Sequence, residues 1–160
     1  MKNETLILSR TFNAPRDKVW KAWTDAKEFK KWWGPEGFKA PTIDIDLKVG
    51  GKYLWCMRGS QAPGKPEENF WTTGSFKEIV PMKKLVYTDS FADEKGNPVQ
   101  PAYYGMSDMA DRQEVTVELE EEGEKTRMTL THKGLLTDKM KDDCAMGWNS
   151  SFNKMDKIIK

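Results

Sequence analysis

The sequence predicts an α+β fold: a curved antiparallel sheet wrapped around one long C-terminal helix, with two short helices after the first strand. Three observations carry that prediction. Strand-like segments joined by hairpin-type connections dominate the middle of the chain. From about Thr137 to Ile159, Met140, Cys144, Trp148, Phe152, Met155 and Ile159 recur at steps of three and four, which puts one apolar stripe on a helix. Between Arg10 and Phe38 the chain places four of its seven tryptophans among helix start and stop signals.

Glu4 to Phe12 reads as a strand, with Leu6, Leu8 and Arg10 facing one way and Ile7, Ser9 and Thr11 the other. Pro15 suits a helix's first turn, where its missing N–H is not needed. Val19, Trp20 and Trp23 then share one helical face. Asp25 with Glu28 three residues on is a capping-box pattern for a second helix. Phe29, Trp32 and Trp33 follow, and Gly34-Pro35 stops that helix. Two such short helices cannot bury their rings against each other alone, so they need a larger concave partner.

Thr42 to Val49 alternates, with Ile43, Ile45, Leu47 and Val49 on one face, which predicts a half-buried strand. Gly50-Gly51 signals a hairpin, and Lys52 to Arg58 returns with Tyr53, Trp55 and Met57 on one face. Gly59 to Asn69 is polar and holds Pro63, Gly64 and Pro66, so it reads as a loop. Phe70 to Ile79 and Leu85 to Phe91 pair around Pro81. Ala92 to Arg112 is a long irregular stretch, of the kind that is functional or disordered in a compact domain. Gln113 to Glu120 and Thr126 to His132 form the last hairpin, around the acidic run Glu121-Glu122-Gly123-Glu124. That run reads as a solvated turn rather than a paired-carboxylate site.

A chain of 160 residues makes one domain with a sizeable core. Its 26 basic and 25 acidic residues leave a net charge of +1, which gives no electrostatic reason to expect nucleic acid or an anionic membrane as partner. No apolar run has transmembrane length and the N-terminus lacks a signal-peptide core, so a cytoplasmic protein with no membrane insertion is expected. Cys56 and Cys144 are the only cysteines and read as two reduced, buried thiols. A disulfide would require the helix to cross the strand closely. With one histidine and no His/Cys cluster, no metal site is expected. No glycine-rich loop leads into a helix, so no nucleotide cofactor is expected either.

Several motifs resemble the Aha-type branch of the START-like (SRPBCC) superfamily, named for an activator of a heat-shock chaperone ATPase. They are Ala14-Pro15, Val19-Trp20, Ala22-Trp23-Thr24 and Trp32-Trp33-Gly34-Pro35, then Gly50-Gly51-Lys52-Tyr53. Gly74, Glu78-Ile79-Val80-Pro81, Leu85-Val86-Tyr87 and Gly147-Trp148 continue it over nearly the whole chain. The resemblance implies the helix-grip (START-like, Bet v-type) fold, with the two short helices plugging one end. It also implies a cavity between sheet and helix that holds an apolar ligand.

From the residues alone, Trp33, Phe38, Trp55, Met57, Phe76, Tyr87, Phe91, Met128, Leu130, Trp148 and Phe152 are the candidate lining. The same stripe fits a plain core. Tyr103, Tyr104, Met106 and Met109 are apolar for a solvated loop. They form either a lid over the cavity mouth or packing on the sheet edge. Arg58, Arg112 and Asp89 read as end-of-strand charges, with orientation of a polar head group as the alternative. His132 is expected to face solvent at a strand end before Gly134 and not to act as a base. No catalytic residue is assigned.

The first reading is therefore binding of a small, largely apolar molecule, with specificity from pocket shape. The alternatives are a chaperone-associated stress-response protein or a START-like cyclase or hydrolase. The eukaryotic activators carry an extra N-terminal domain that this sequence, beginning at its first strand, does not show. The enzyme reading turns on Tyr87, Asp89 or His132 pointing into the cavity with a perturbed pKa.

Overall fold

A computed structural model describes residues 5–159 of the chain. The elements run β1 (Thr5–Phe12), α1 (Arg16–Thr24), α2 (Ala26–Trp32), β2 (Lys39–Ile45), β3 (Lys52–Gly59), β4 (Glu68–Val80) and β5 (Lys84–Ala92), then a short 3-10 turn (Pro101–Tyr104). They end with β6 (Met109–Glu122), β7 (Lys125–Leu135) and α3 (Asp138–Ile158). The strands form a seven-stranded sheet in the order β1-β7-β6-β5-β4-β3-β2, with every neighbouring pair antiparallel. The sheet curves around α3 and the two short helices, which is the helix-grip arrangement.

Local chemistry fixes the helix ends. The Asp25 carboxylate accepts from Lys27 N and Glu28 N, so it caps α2 as its position foretells. The box is not reciprocal: Glu28 pairs instead with Lys31 at 2.7 Å, and the Asp25 N–H bonds back to Lys21 O. Trp33 caps the other end and Gly34 follows at φ +95°, a conformation glycine adopts without strain. Thr137 caps α3 by accepting from Met140 N. Its stripe then packs inward: Trp148, Phe152, Met155 and Ile159 are buried, with Met140 and Cys144 at the margin.

The short helices bury Val19, Trp20, Trp23, Phe29 and Trp32 against this assembly. Trp32 donates its indole N–H to Ala22 O at 2.8 Å, and Trp23 donates to Met128 Sδ at 3.2 Å, so these buried polar atoms are satisfied.

β2 is shorter than its alternation suggests. It ends at Ile45, and Leu47 and Val49 are exposed at 40% and 67%. The chain turns there through Lys48 N to Asp46 O and Gly51 N to Lys48 O, while Asp46 N reaches Lys52 O across the hairpin. Glu4, the expected start of the first strand, lies outside the described residues. Among the described residues no helix is long and apolar enough to cross a membrane.

Candidate functional site

The candidate site is the wall of the sheet that faces α3. Along β5, Leu85, Tyr87, Asp89 and Phe91 fall on one face by alternation. Tyr87 is fully buried against Tyr53, Trp55 and Phe76, which makes that face the inner one. Tyr53 and Trp55 of β3 stack on each other at 3.8 Å. Opposite Trp55 in the ladder is Thr72, and opposite Thr72 is Phe91. Trp33, from the end of α2, touches Trp55 at 5.0 Å and Trp148 of α3 at 5.5 Å.

Most of the expected lining residues meet here. Trp33, Trp55, Phe76, Tyr87, Met128, Leu130, Trp148 and Phe152 belong to one buried cluster, with Met57 packed against it. Phe38 and Phe91 sit at its rim, where their rings contact Phe70 and Tyr104 respectively. The rings touch one another, so the wall and the helix are bridged by aromatic side chains rather than by open space. Two depressions open on other parts of the surface, one between α1 and Met82 and one on the outer face beside Gly74.

Four polar atoms inside this cluster have no protein partner: Trp33 Nε1, Trp55 Nε1, Thr72 Oγ1 and Tyr87 Oη. Their residues adjoin through ring contact or ladder pairing. Buried polar groups are paired in the great majority of cases. Four unpaired ones on one stretch of wall therefore mark a place with unused hydrogen-bonding capacity. Two of them are indole N–H groups, which only donate.

A polar line crosses the same wall. Asp89 is half-buried on β5 and lies opposite Gln113 of β6. Tyr53 Oη is 2.7 Å from Thr88 O and 2.6 Å from Asp89 Oδ1. Tyr53 has one proton and the carbonyl only accepts. That one O–H is shared between two acceptors, the Thr88 carbonyl and the Asp89 carboxylate. Burial pushes Asp89 up to about 7. The hydrogen bond from the Tyr53 hydroxyl favours the charged form and holds that rise in check. Burial first, and the Asp89 charge second, raise the Tyr87 hydroxyl well above its ordinary range.

Beyond Gln113 the line continues to His132. The imidazole Nε2 is 2.6 Å from Gln113 Oε1, and Trp148 donates its indole N–H to Nδ1 at 3.0 Å. An indole donates only, so Nδ1 is the bare nitrogen and Nε2 carries the proton. His132 is 4% exposed, and burial pushes its pKa down to about 4. This corrects the expected solvent-facing position. β7 continues to Leu135, and Gly134 is a positive-φ residue within the strand rather than its end. With both nitrogens engaged, His132 is a structural tie between sheet and helix.

Asp89 likewise corrects its reading as an exposed end-of-strand charge, because its phase along β5 turns it inward. Arg58 does sit at the surface, with Asn69 and Glu67 as partners, and Arg112 is exposed. The thiols are free: Cys56 is buried and Cys144 half-buried. Burial foremost, with the Asp143 and Asp89 charges beside it, pushes Cys144 up to about 12, so it is an inert thiol near the site. Among the described residues no group of His, Cys, Asp and Glu side chains is arranged to hold a metal.

In the long connection, Tyr104 packs on Phe70 and Phe91, donates to Ala92 O and accepts from Trp71 N. It packs against the ends of β4 and β5. Tyr103 is 62% exposed, Met106 is half-buried, and Met109 begins β6 against the core. Tyr53, Thr72, Asp89, Gln113 and His132 are the site residues that sequence reasoning left out of the lining. Alternation was the available signal, since Asp89 is in phase with Tyr87 and Phe91.

The family model for Activator of Hsp90 ATPase homolog 1-like protein matches residues 13–160. The chain belongs to that family. A protein from Chromobacterium violaceum superposes with a TM-score of 0.78 at 24% identity, over 98% of this chain and 96% of that one. A protein from Arthrobacter aurescens gives 0.76 at 26% identity, over 99% and 89%. The AHSA1 protein from Silicibacter pomeroyi gives 0.74 at 22% identity, over 96% and 95%. No curated protein matches the sequence.

Proposed function

We propose that this chain binds a small, largely apolar molecule between the antiparallel sheet and α3. One observation carries the reading: Trp33 Nε1, Trp55 Nε1, Thr72 Oγ1 and Tyr87 Oη are buried side by side without protein partners. An apolar ligand bearing an acceptor oxygen satisfies the two indole donors, while its body replaces ring-to-ring contacts at little cost in apolar burial. Trp148 and Phe152 stack at the helix side and Met57 lines the rim, so entry displaces α3 side chains rather than sheet backbone. The family resemblance, which implies an apolar ligand in this place, agrees with it.

The test is a mixture screen of small apolar molecules against protein labelled at indole nitrogens and methionine methyls. Shifts should concentrate at Trp33, Trp55 and Trp148. A broad library that leaves those signals unmoved while the protein stays folded would overturn the reading.

The family description favours a second reading, engagement of a chaperone ATPase. Adding the purified protein to a heat-shock chaperone and measuring ATP turnover decides it. Stimulation supports that reading, and an unchanged rate removes it.

A further inference from the structure

We propose that residues 34–38 form a strap over the interior site: it hinges at Gly34 and Gly37, is latched to α3 by Lys154 and Ser150, and opens to uncover the Trp33 indole and admit a ligand. The opening stands on the geometry of the segment, and the entry role rests on the apolar-ligand reading above.

The segment Gly34-Pro35-Glu36-Gly37-Phe38 joins α2 to β2. It follows directly on Trp33, which is 6% exposed and whose ring touches Phe29, Trp55 and Trp148. Gly34 is itself buried beside the rim of the site, where a Cβ on it would lie 3.6 Å from the Met57 Cβ. Side chains of α3 hold the segment down. Lys154 donates its ammonium to Gly34 O at 2.9 Å and to Phe38 O at 3.2 Å, and Ser150 Oγ accepts from Glu36 N at 2.7 Å. Ser150 and Lys154 lie one helical turn apart on the same face of α3, so a single stripe clasps the middle and both ends of the segment. Its far end is also anchored to the sheet. The Phe38 ring lies over Gly59, where a Cβ would stand 2.5 Å from Phe38 Cδ2, and it sits 6.2 Å from the Phe70 ring.

Gly34 and Gly37 stand at φ +95° and +90°, where glycine carries no strain. A Cβ on Gly37 would meet nothing within 4 Å, so backbone conformation rather than crowding calls for glycine there. Such positions absorb the backbone change of a hinge. The latch bonds belong to half-buried side chains, and water replaces them as the strap lifts. Closure has an opposing cost: it shuts the Trp33 N–H away from water without a protein partner. Opening returns that N–H to water. An acceptor oxygen on a ligand removes the same cost with the strap closed. The latch thus offsets the orphan indole in the empty protein, and a bound ligand relieves it.

The experiment measures hydrogen exchange at the indole N–H groups of the intact, ligand-free protein. Trp32 is the internal reference, because it is fully buried and its N–H is bonded to Ala22 O between the two short helices. Lys154→Met keeps the aliphatic stem and removes the donors. It should speed exchange at Trp33 about tenfold or more and leave Trp32 unchanged. Ser150→Ala should act the same way by a smaller factor. Gly37→Ala touches neither latch residue and should also speed Trp33 exchange, because alanine disfavours φ +90°. Trp32 and Trp33 accelerating together, or a Trp33 rate unmoved in both Lys154→Met and Gly37→Ala, would overturn the strap. A second measurement titrates 2-nonanone, an apolar ketone, and takes its off-rate from the Trp33 and Trp55 indole line shapes. The latch is closed in the free and the bound protein alike, so Lys154→Met should raise the off-rate about tenfold and hold Kd within about threefold. An unchanged off-rate would overturn the entry role and leave the apolar site standing. If 2-nonanone shifts no indole, the entry role falls with the apolar-ligand reading, while accelerated Trp33 exchange still upholds the strap.

Discussion

Trp148 donates its indole N–H to Nδ1 of His132, and that one bond ties the middle of α3 to the floor of the sheet in a fixed tautomer. The sole histidine of the chain is thus held neutral, with Nε2 protonated toward Gln113. The ordinary imidazole value is 6.5 and the folded value is about 4. Between those two values the unfolded chain binds a proton that the folded one refuses. Stability therefore falls as pH drops from 6.5 to about 4 and levels off below. The full loss from this group is about 3 kcal/mol. Urea unfolding across that range should show the difference in stability between the protein and His132→Gln shrinking toward acid by that amount, because the opposing slope from Asp89 is common to both and cancels in the difference. The imidazole ¹⁵N shifts should read as the Nε2–H form at pH 6 without titrating. A signal moving with an ordinary midpoint would contradict the assignment.

Asp89 acts with the opposite sign. Its folded pKa lies above its unfolded one, at about 7 against 3.8. Its contribution is complete below 3.8 and is lost as pH rises through 7. Asp89→Asn removes the ionisation and keeps a neutral polar group. The variant should therefore gain melting temperature relative to the unaltered protein at pH 8 and differ little at pH 4. In the window from about 4 to 6.5 the two buried groups oppose each other, so each single variant exposes the slope of its partner. Equal differences at both pH values would mean that Asp89 is already ionised at low pH.

The fold was legible where the signals are local. Asp25, Gly34 and Thr137 mark helix ends through bonds that span a few residues, and the α3 stripe records a period. The errors occurred where a local signal had a tertiary meaning. Alternation runs on through Leu47 and Val49, yet the chain has already turned, because Gly51 lies where a Cβ would stand 2.1 Å from Asp46 O. Gly134 reads as a terminator, whereas in the fold it makes room for Gln113 against β7. The aromatic wall could be drawn up from strand phase alone. The polar line through it could not, since Gln113 and His132 are brought together only by the register between β6 and β7.

The aromatic wall and the connecting loop should respond differently to truncation. Phe152 is buried and packs on Phe12, Trp23, Trp32 and Trp148. Phe152→Ala removes those contacts and leaves a cavity, so a loss of about 3–5 kcal/mol is expected in chemical denaturation. Tyr103 is largely exposed, and Tyr103→Ala should change stability by about 0.5 kcal/mol or less. A loss below about 1 kcal/mol for Phe152→Ala would show that the helix side of the wall collapses readily. That is also the motion a ligand needs.

Gly134 tests whether the sheet itself sets the state of His132. Its φ of +104° is strained for any residue with a side chain, and a Cβ there would lie 2.9 Å from Gln113 Cγ and 3.3 Å from the Ala110 Cβ. Gly134→Ala should therefore cost at least about 1 kcal/mol from backbone strain and push the Gln113 side chain off the imidazole. With Gln113 displaced, Nε2–H loses its acceptor, while Trp148 still donates to Nδ1. The variant should keep the Nε2–H tautomer, and the imidazole Nε2 proton should exchange with solvent faster than in the unaltered protein. Trp148→Phe makes the complementary change, freeing Nδ1 and letting the second tautomer appear. If Gly134→Ala alters the tautomer and Trp148→Phe does not, Gln113 rather than the indole orients the ring, and the tie between α3 and the sheet is the weaker of its two bonds.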